Sequence, residues 1–183
     1  MSYTFSSAGP KQLGYQKEQV DAFIELARAQ YADTALELIT SNQIRNTEFD
    51  LIPSGYEITA VDTAMDRLED AFAAREISRQ KTLKGEFAVE DRLSRIIEIV
   101  QGRVSRPKKI KFSSTGFLLR GYSRSQVDNL CKSIEAHLNE GQPIQLNTVR
   151  RAIFTAKRGG YLESQVDAFL DRVVEILQIE KNK

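Results

Sequence analysis

The sequence predicts an all-α protein of tandem helical repeats, in which short coiled-coil or bundle helices follow loops that end in Gly-Tyr. Three observations lead there. A motif recurs four times, apolar residues on a 3-4 spacing follow each copy, and no alternating run of useful length reads as a strand. The motif is Gly-Tyr, four residues, then Val-Asp. It occurs at Gly14, Tyr15, Val20, Asp21; at Gly55, Tyr56, Val61, Asp62; at Gly121, Tyr122, Val127, Asp128; and at Gly160, Tyr161, Val166, Asp167. Every Gly-Tyr and every Val-Asp in the chain belongs to one of these copies. The residue before Val is Gln19, Ala60, Gln126 and Gln165.

The motif glycines are separated by 41, 66 and 39 residues, so the copies pair as first with second and third with fourth. The flanks extend the match. Phe5-Ser6-Ser7 precedes Gly14 as Phe112-Ser113-Ser114 precedes Gly121, and Gly9 matches Gly116. Ile39, Asn42, Ile44, Arg45 and Phe49 fall 105 residues before Ile144, Asn147, Val149, Arg150 and Phe154. The order is A, B, A′, B′, with one segment added after B.

Each helix has its own local signal. Val20, Phe23 and Ala27 follow the first motif; Val61, Ala64 and Leu68 the second; Val127, Leu130 and Ile134 the third; Val166, Phe169, Val173 and Ile176 the fourth. These are the seams of bundle helices. Glycine suits the loop-helix junction because it can take positive φ. Ser123 with Gln126 predicts a capping box, and Leu162 offers no cap. Short helices are expected over Ile39 to Thr47 and Ile144 to Ile153. The added segment, about Lys84 to Val104, places Val89, Leu93, Ile96, Ile97, Val100 and Val104 on one stripe of a fifth strong helix. The expected domains are 1–83 with the motifs at 14–21 and 55–62, a segment 84–105 with the added helix and the start of a basic linker, and 106–183 with the motifs at 121–128 and 160–167.

Composition bounds the chemistry. The chain has 183 residues, 41% apolar and 28% charged, with 26 basic and 25 acidic side chains and a net charge of +1. This profile fits one globular unit or two small ones rather than a disordered chain. A single cysteine, Cys131, excludes a disulfide framework and a multi-thiolate zinc site, and a single histidine, His137, excludes any site needing two imidazoles. Cys131 lies beside the apolar seam, where a small core residue is expected. No run approaches the length of a membrane span, and Met1 to Pro10 lack the marks of a signal peptide, so a cytoplasmic protein is expected. Near-neutrality hides an asymmetry. Residues 1–100 carry 11 basic and 17 acidic side chains, a net of −6, and residues 101–183 carry 15 and 8, a net of +7.

The four repeated aspartates invite a catalytic reading, but a structural group recurs with its repeat and a catalytic one does not. Each is expected to interact with a helix N-terminus or a crossing loop. Phe5, Phe49, Phe112 and Phe154 are expected to plug the junction between loop and helix. No phosphate loop, nucleophile elbow or zinc spacing is present, and no cofactor or metal is expected. The candidate contact surface is the basic run Arg103, Arg106, Lys108, Lys109 and Lys111, followed by Phe117, Leu118, Leu119 and Arg120. Cations beside exposed apolar side chains suit an anionic lipid surface. The same apolar residues could instead face inward. Nucleic acid is not expected, because no reading motif or aromatic interleaving accompanies the run.

At these motifs the sequence resembles the DivIVA domain, the N-terminal module of bacterial scaffolds that mark cell poles and division sites. Leu38-Ile39-Thr40-Ser41-Asn42-Gln43-Ile44-Arg45-Asn46, with Phe49, Gly55-Tyr56 and Val61-Asp62, is similar to the family's opening pattern; so is Gly160-Tyr161 through Val166-Asp167-Ala168-Phe169-Leu170-Asp171-Arg172. The four-copy arrangement is similar to small actinobacterial DivIVA-domain repeat proteins, with no long coiled-coil tail after Leu177. The resemblance implies a non-enzymatic adaptor or scaffold in cell division or polar growth, with protein partners and a peripheral place at the inner face of the cell membrane. It also implies an aromatic-basic membrane contact just before Gly-Tyr. That position holds Gln12-Leu13, Pro53-Ser54, Leu119-Arg120 and Arg158-Gly159, and only Leu119-Arg120 keeps the apolar-plus-basic chemistry. The family module is a dimer with crossed loops. Four copies in one chain could satisfy that pairing internally, A against B and A′ against B′, giving a monomer or weak dimer. The alternative is a purely soluble interaction module without lipid affinity.

Overall fold

The 3-4 spacing after each Gly-Tyr folds as helix throughout the computed structural model, which describes residues 5–33 and 39–183. Leu38, at the head of the stretch similar to the family pattern, lies outside the described residues. The elements in chain order are β1 (Leu13–Tyr15), α1 (Lys17–Ala32), α2 (Ser41–Arg45), β2 (Leu51–Pro53), α3 (Ile58–Lys84), α4 (Glu86–Val104), β3 (Arg120–Tyr122), α5 (Arg124–Glu140), α6 (Leu146–Arg150), β4 (Ala156–Arg158) and α7 (Glu163–Lys181). The described residues are mostly helical, 62% of them. No helix among the described residues is long and apolar enough to cross a membrane.

The chain divides into two compact units at Ser78, and α3 runs across the division. In the first unit, Val20 of α1 and Val61 of α3 are fully buried with Tyr56, while Ala27, Ile39, Ile44 and Phe72 form a second cluster around α2. The capping box that holds α2 belongs to Thr40 and Gln43, whose side chains exchange hydrogen bonds with each other's backbone N–H. In the second unit α4 packs on α5 and α7, and α6 packs on α7. Of its expected stripe, Val89, Leu93, Ile96, Val100 and Val104 are buried, each worth about 1.5–3 kcal/mol of apolar transfer for the larger side chains. The added helix is therefore core to the second unit.

Three expectations are corrected. The all-α reading missed two antiparallel two-stranded sheets, β1 with β2 and β3 with β4. Their registers are Leu13↔Pro53, Gly14↔Ile52 and Tyr15↔Leu51, and Arg120↔Arg158, Gly121↔Lys157 and Tyr122↔Ala156. Strands of three residues are too short to show alternation, and their partners lie far away in sequence. The capping box expected at Ser123 does not form, since Ser123 makes no side-chain cap bond and Gln126 is engaged elsewhere. Finally, the motif glycines do not have positive φ; the glycines that do are Gly85, Gly116, Gly141 and Gly159.

Candidate functional site

The motif glycines are required because two backbones cross there. A methyl group on Gly14 would overlap the carbonyl oxygen of Tyr56, and one on Gly55 would overlap that of Gly14. Gly121 meets the Tyr161 carbonyl and Gly160 the Gly121 carbonyl in the same way. At each crossing the two tyrosines exchange backbone hydrogen bonds: Tyr15 with Tyr56 at 2.9 and 2.8 Å, and Tyr122 with Tyr161 at 3.0 and 2.9 Å.

The crossing carries each tyrosine to the aspartate of the other copy. Tyr15 donates its hydroxyl to Asp62 at 3.0 Å, Tyr56 to both oxygens of Asp21 at 3.1 and 3.2 Å, and Tyr161 to Asp128 at 2.9 Å. Tyr122 donates to Asp167. Burial, reinforced by the partner carboxylates, pushes the hydroxyls of Tyr15, Tyr122 and Tyr161 up to about 12 and raises that of Tyr56. Burial also raises the Asp167 carboxyl, against the lowering effect of its bond from Tyr122. The four phenylalanines cross as well. Phe5 meets Tyr56 at 5.2 Å, Phe49 meets Tyr15 at 5.5 Å, Phe112 meets Tyr161 at 5.2 Å and Phe154 meets Tyr122 at 5.1 Å between ring centroids. Val20, Val61, Val127 and Val166 sit beneath in the core.

The residue before Val completes the junction. Gln19 accepts from the Asp50 N–H at 2.8 Å, Gln126 from the Thr155 N–H at 2.8 Å, and Gln165 from the Ser113 N–H at 2.9 Å. Each glutamine thus satisfies an amide of the other copy's loop, and Ala60 cannot. The recurrence of Gln at this position was visible in the sequence; its partner was not.

The candidate contact surface divides in the structure. Phe117, Leu118 and Leu119 are exposed at 81, 79 and 66%, in the bend that leads into β3. The Leu119 carbonyl accepts from the Gly159 N–H at 3.0 Å and the Thr115 hydroxyl at 3.0 Å, which anchors the bend while its side chains stay in solvent. Arg120 is exposed and lies opposite Arg158 in the β3–β4 register, with exposed Lys157 beside it. Lys157 was missed, and Arg158 stood only as a pair position before the fourth Gly-Tyr, because the two lie 37 and 38 residues from Arg120 in sequence. Arg106, Lys108 and Lys109 are exposed too.

Lys111 leaves that surface. It is buried, and its amine donates to the carbonyls of Val104 and, at 2.6 Å, Arg106, closing the C-terminal end of α4. Arg103 reaches the Lys111 carbonyl at 2.9 Å and lies over the Phe112 ring. A further cation, Arg124, joins the basic run to the crossing: it donates to the carbonyls of Lys109 and Gly159 and to the Ser114 hydroxyl, at 2.9, 2.7 and 2.7 Å. Lys17 stands at the matching place in the first unit, bonded to Ser7 and over the Tyr56 ring, as Arg124 is over Tyr161. Cys131 is buried, and burial pushes its thiol up to about 12, so it stays protonated. His137 bonds the Gln142 carbonyl and Glu180.

No protein-family model, curated protein or solved structure matches the chain.

Proposed function

We propose that the protein is a non-enzymatic bacterial adaptor or scaffold related to cell division or polar growth, and that its second unit docks on an anionic membrane surface from the cytoplasmic side. The observation that carries this reading is the exposed triplet Phe117, Leu118 and Leu119 on an anchored bend flanked by Arg120, Lys157 and Arg158. Apolar side chains can enter the headgroup layer while each nearby cation adds about 1 kcal/mol of attraction to anionic lipid. The resemblance to the DivIVA domain supplies the cellular context. In this reading the chain is a set of tandem helical repeats in which each unit is an internal pseudo-dimer, and the reciprocal Tyr-Asp bonds support it. The same bonds occupy the four motif carboxylates, which speaks for a structural rather than catalytic role.

Co-sedimentation with phosphatidylcholine vesicles, with and without phosphatidylglycerol, tests the proposal. The chain should pellet only with the anionic vesicles, and Phe117→Ser with Leu118→Ser should leave it in the supernatant. Charge reversal at Lys108 and Lys109 should weaken the binding. The second reading, a soluble interaction module, draws on the first unit, where the loop before Gly14 carries Lys11-Gln12-Leu13 and no apolar triplet. It gains if the wild-type chain ignores both kinds of vesicle.

A further inference from the structure

The two units differ in one respect that points to a partner. In the second unit α4 covers the face formed by α5 and α7. Cys131 of α5 and Phe169, Val173 and Ile176 of α7 are buried. The matching residues of the first unit, by the repeat alignment, are Ile24, Ala64, Leu68 and Ala71, and each remains partly exposed. They line an open groove between α1 and α3 of about 490 Å³. Two of the four are alanines where the second unit has Phe169 and Ile176, which leaves room along the α3 side, while Ile24 and Leu68 are larger than Cys131 and Val173. Arg67, an exposed cation, and Arg28 also line it, and none of the described lining residues is acidic.

We propose that this groove binds an amphipathic helix of a partner protein, one with bulky apolar residues on the spacing of α4 and acidic residues along its edges. The second unit shows the geometry on the same protein: a helix of 19 residues whose stripe, Val89, Leu93, Ile96, Val100 and Val104, closes the equivalent face. The alanines call for large side chains on the incoming stripe, and the exposed Arg67 for a carboxylate beside it. A second copy of the chain is a poor source, because α4 is already buried in its own unit. The groove is remote in sequence from the Phe117–Arg120 tip, so the inference stands apart from the membrane reading.

Fluorescence anisotropy of a labelled peptide with the sequence of residues 86–104, titrated with the full chain, tests this. The tethered α4 outcompetes free peptide in the second unit, because its effective concentration is on the order of millimolar. Saturable binding is expected, and Ala71→Arg should weaken it by about tenfold or more by blocking the groove. Arg67→Glu, on an exposed residue, should weaken it as well and serves if Ala71→Arg impairs folding by circular dichroism. A peptide with Leu93→Glu and Ile96→Glu should not bind. Three outcomes overturn the proposal: no binding by the parent peptide, binding unchanged in both folded groove variants, or a chain dimer that the groove variants dissociate, which would assign the groove to a second copy.

Discussion

Tyr161 has the most demanding surroundings of the motif tyrosines. It is fully buried, donates to Asp128 at 2.9 Å, accepts from the Lys111 N–H at 3.1 Å and lies under Arg124. Tyr161→Phe strips the buried Asp128 and the Lys111 amide of a partner, and should cost about 1–3 kcal/mol in urea unfolding. Tyr15→Phe, at a half-buried position, should cost less, about 0.5–1.5 kcal/mol. The same tyrosines set an alkaline limit. Their folded-state values are raised from 10.0 to about 12, so the unfolded chain loses these protons first as pH rises. This contribution to stability is fully present below pH 10, falls progressively as the pH rises through the folded values near 12, and should appear as a declining urea midpoint over that interval. The identities of Gly, Tyr, Val and Asp were legible as a motif. Which tyrosine meets which aspartate was not, because the partners lie 33–47 residues apart.

At the scale of elements, the crossing replaces the helical capping that the sequence suggested. Gln126 has the spacing of a capping-box residue after Ser123, yet it serves the Thr155 amide, a partner outside the local window. Gly121→Ala should destabilise the second unit by about 1–3 kcal/mol or more, since the added methyl meets rigid backbone. Unfolding monitored at α5 and α7 checks this. Lys111 explains how α4 ends: Lys111→Met keeps the apolar stem but leaves the Val104 and Arg106 carbonyls without their donor. A loss of about 1–3 kcal/mol is expected, with faster amide exchange in the last turn of α4. In the sequence Lys111 was one more cation in a basic run; only the return of the chain under α4 distinguishes it from Lys108 and Lys109.

At the scale of the whole molecule, the division at Ser78 sharpens the charge asymmetry. Up to Ser78 the chain carries 6 basic and 13 acidic side chains, a net of −7; from Arg79 onward it carries 20 and 12, a net of +8. The apolar tip belongs to the basic unit, as a contact with anionic lipid requires. Binding to anionic vesicles should therefore weaken as salt rises from about 50 to 500 mM, while a contact made by the apolar triplet alone would not. Internal pairing of the copies predicts a monomer or weak dimer by light scattering at micromolar concentration; a stable high oligomer would count against it.

The four motifs, their pairing by spacing and flanks, and the helices that follow them were legible in the sequence, because helical periodicity and repetition are written in neighbouring residues. The sequence also marked the valines for the core and offered the segment before the third Gly-Tyr as a contact surface, leaving open whether Phe117 to Leu119 face outward, which the structure shows they do. Tertiary structure alone decided that the loops cross as paired strands, that each tyrosine serves the other copy's aspartate, that Lys111 is buried while Arg158 joins the tip, and that one unit's helical face is covered while the other's is open. These depend on contacts between segments tens of residues apart, where chain crossing and burial, rather than local pattern, set which groups meet.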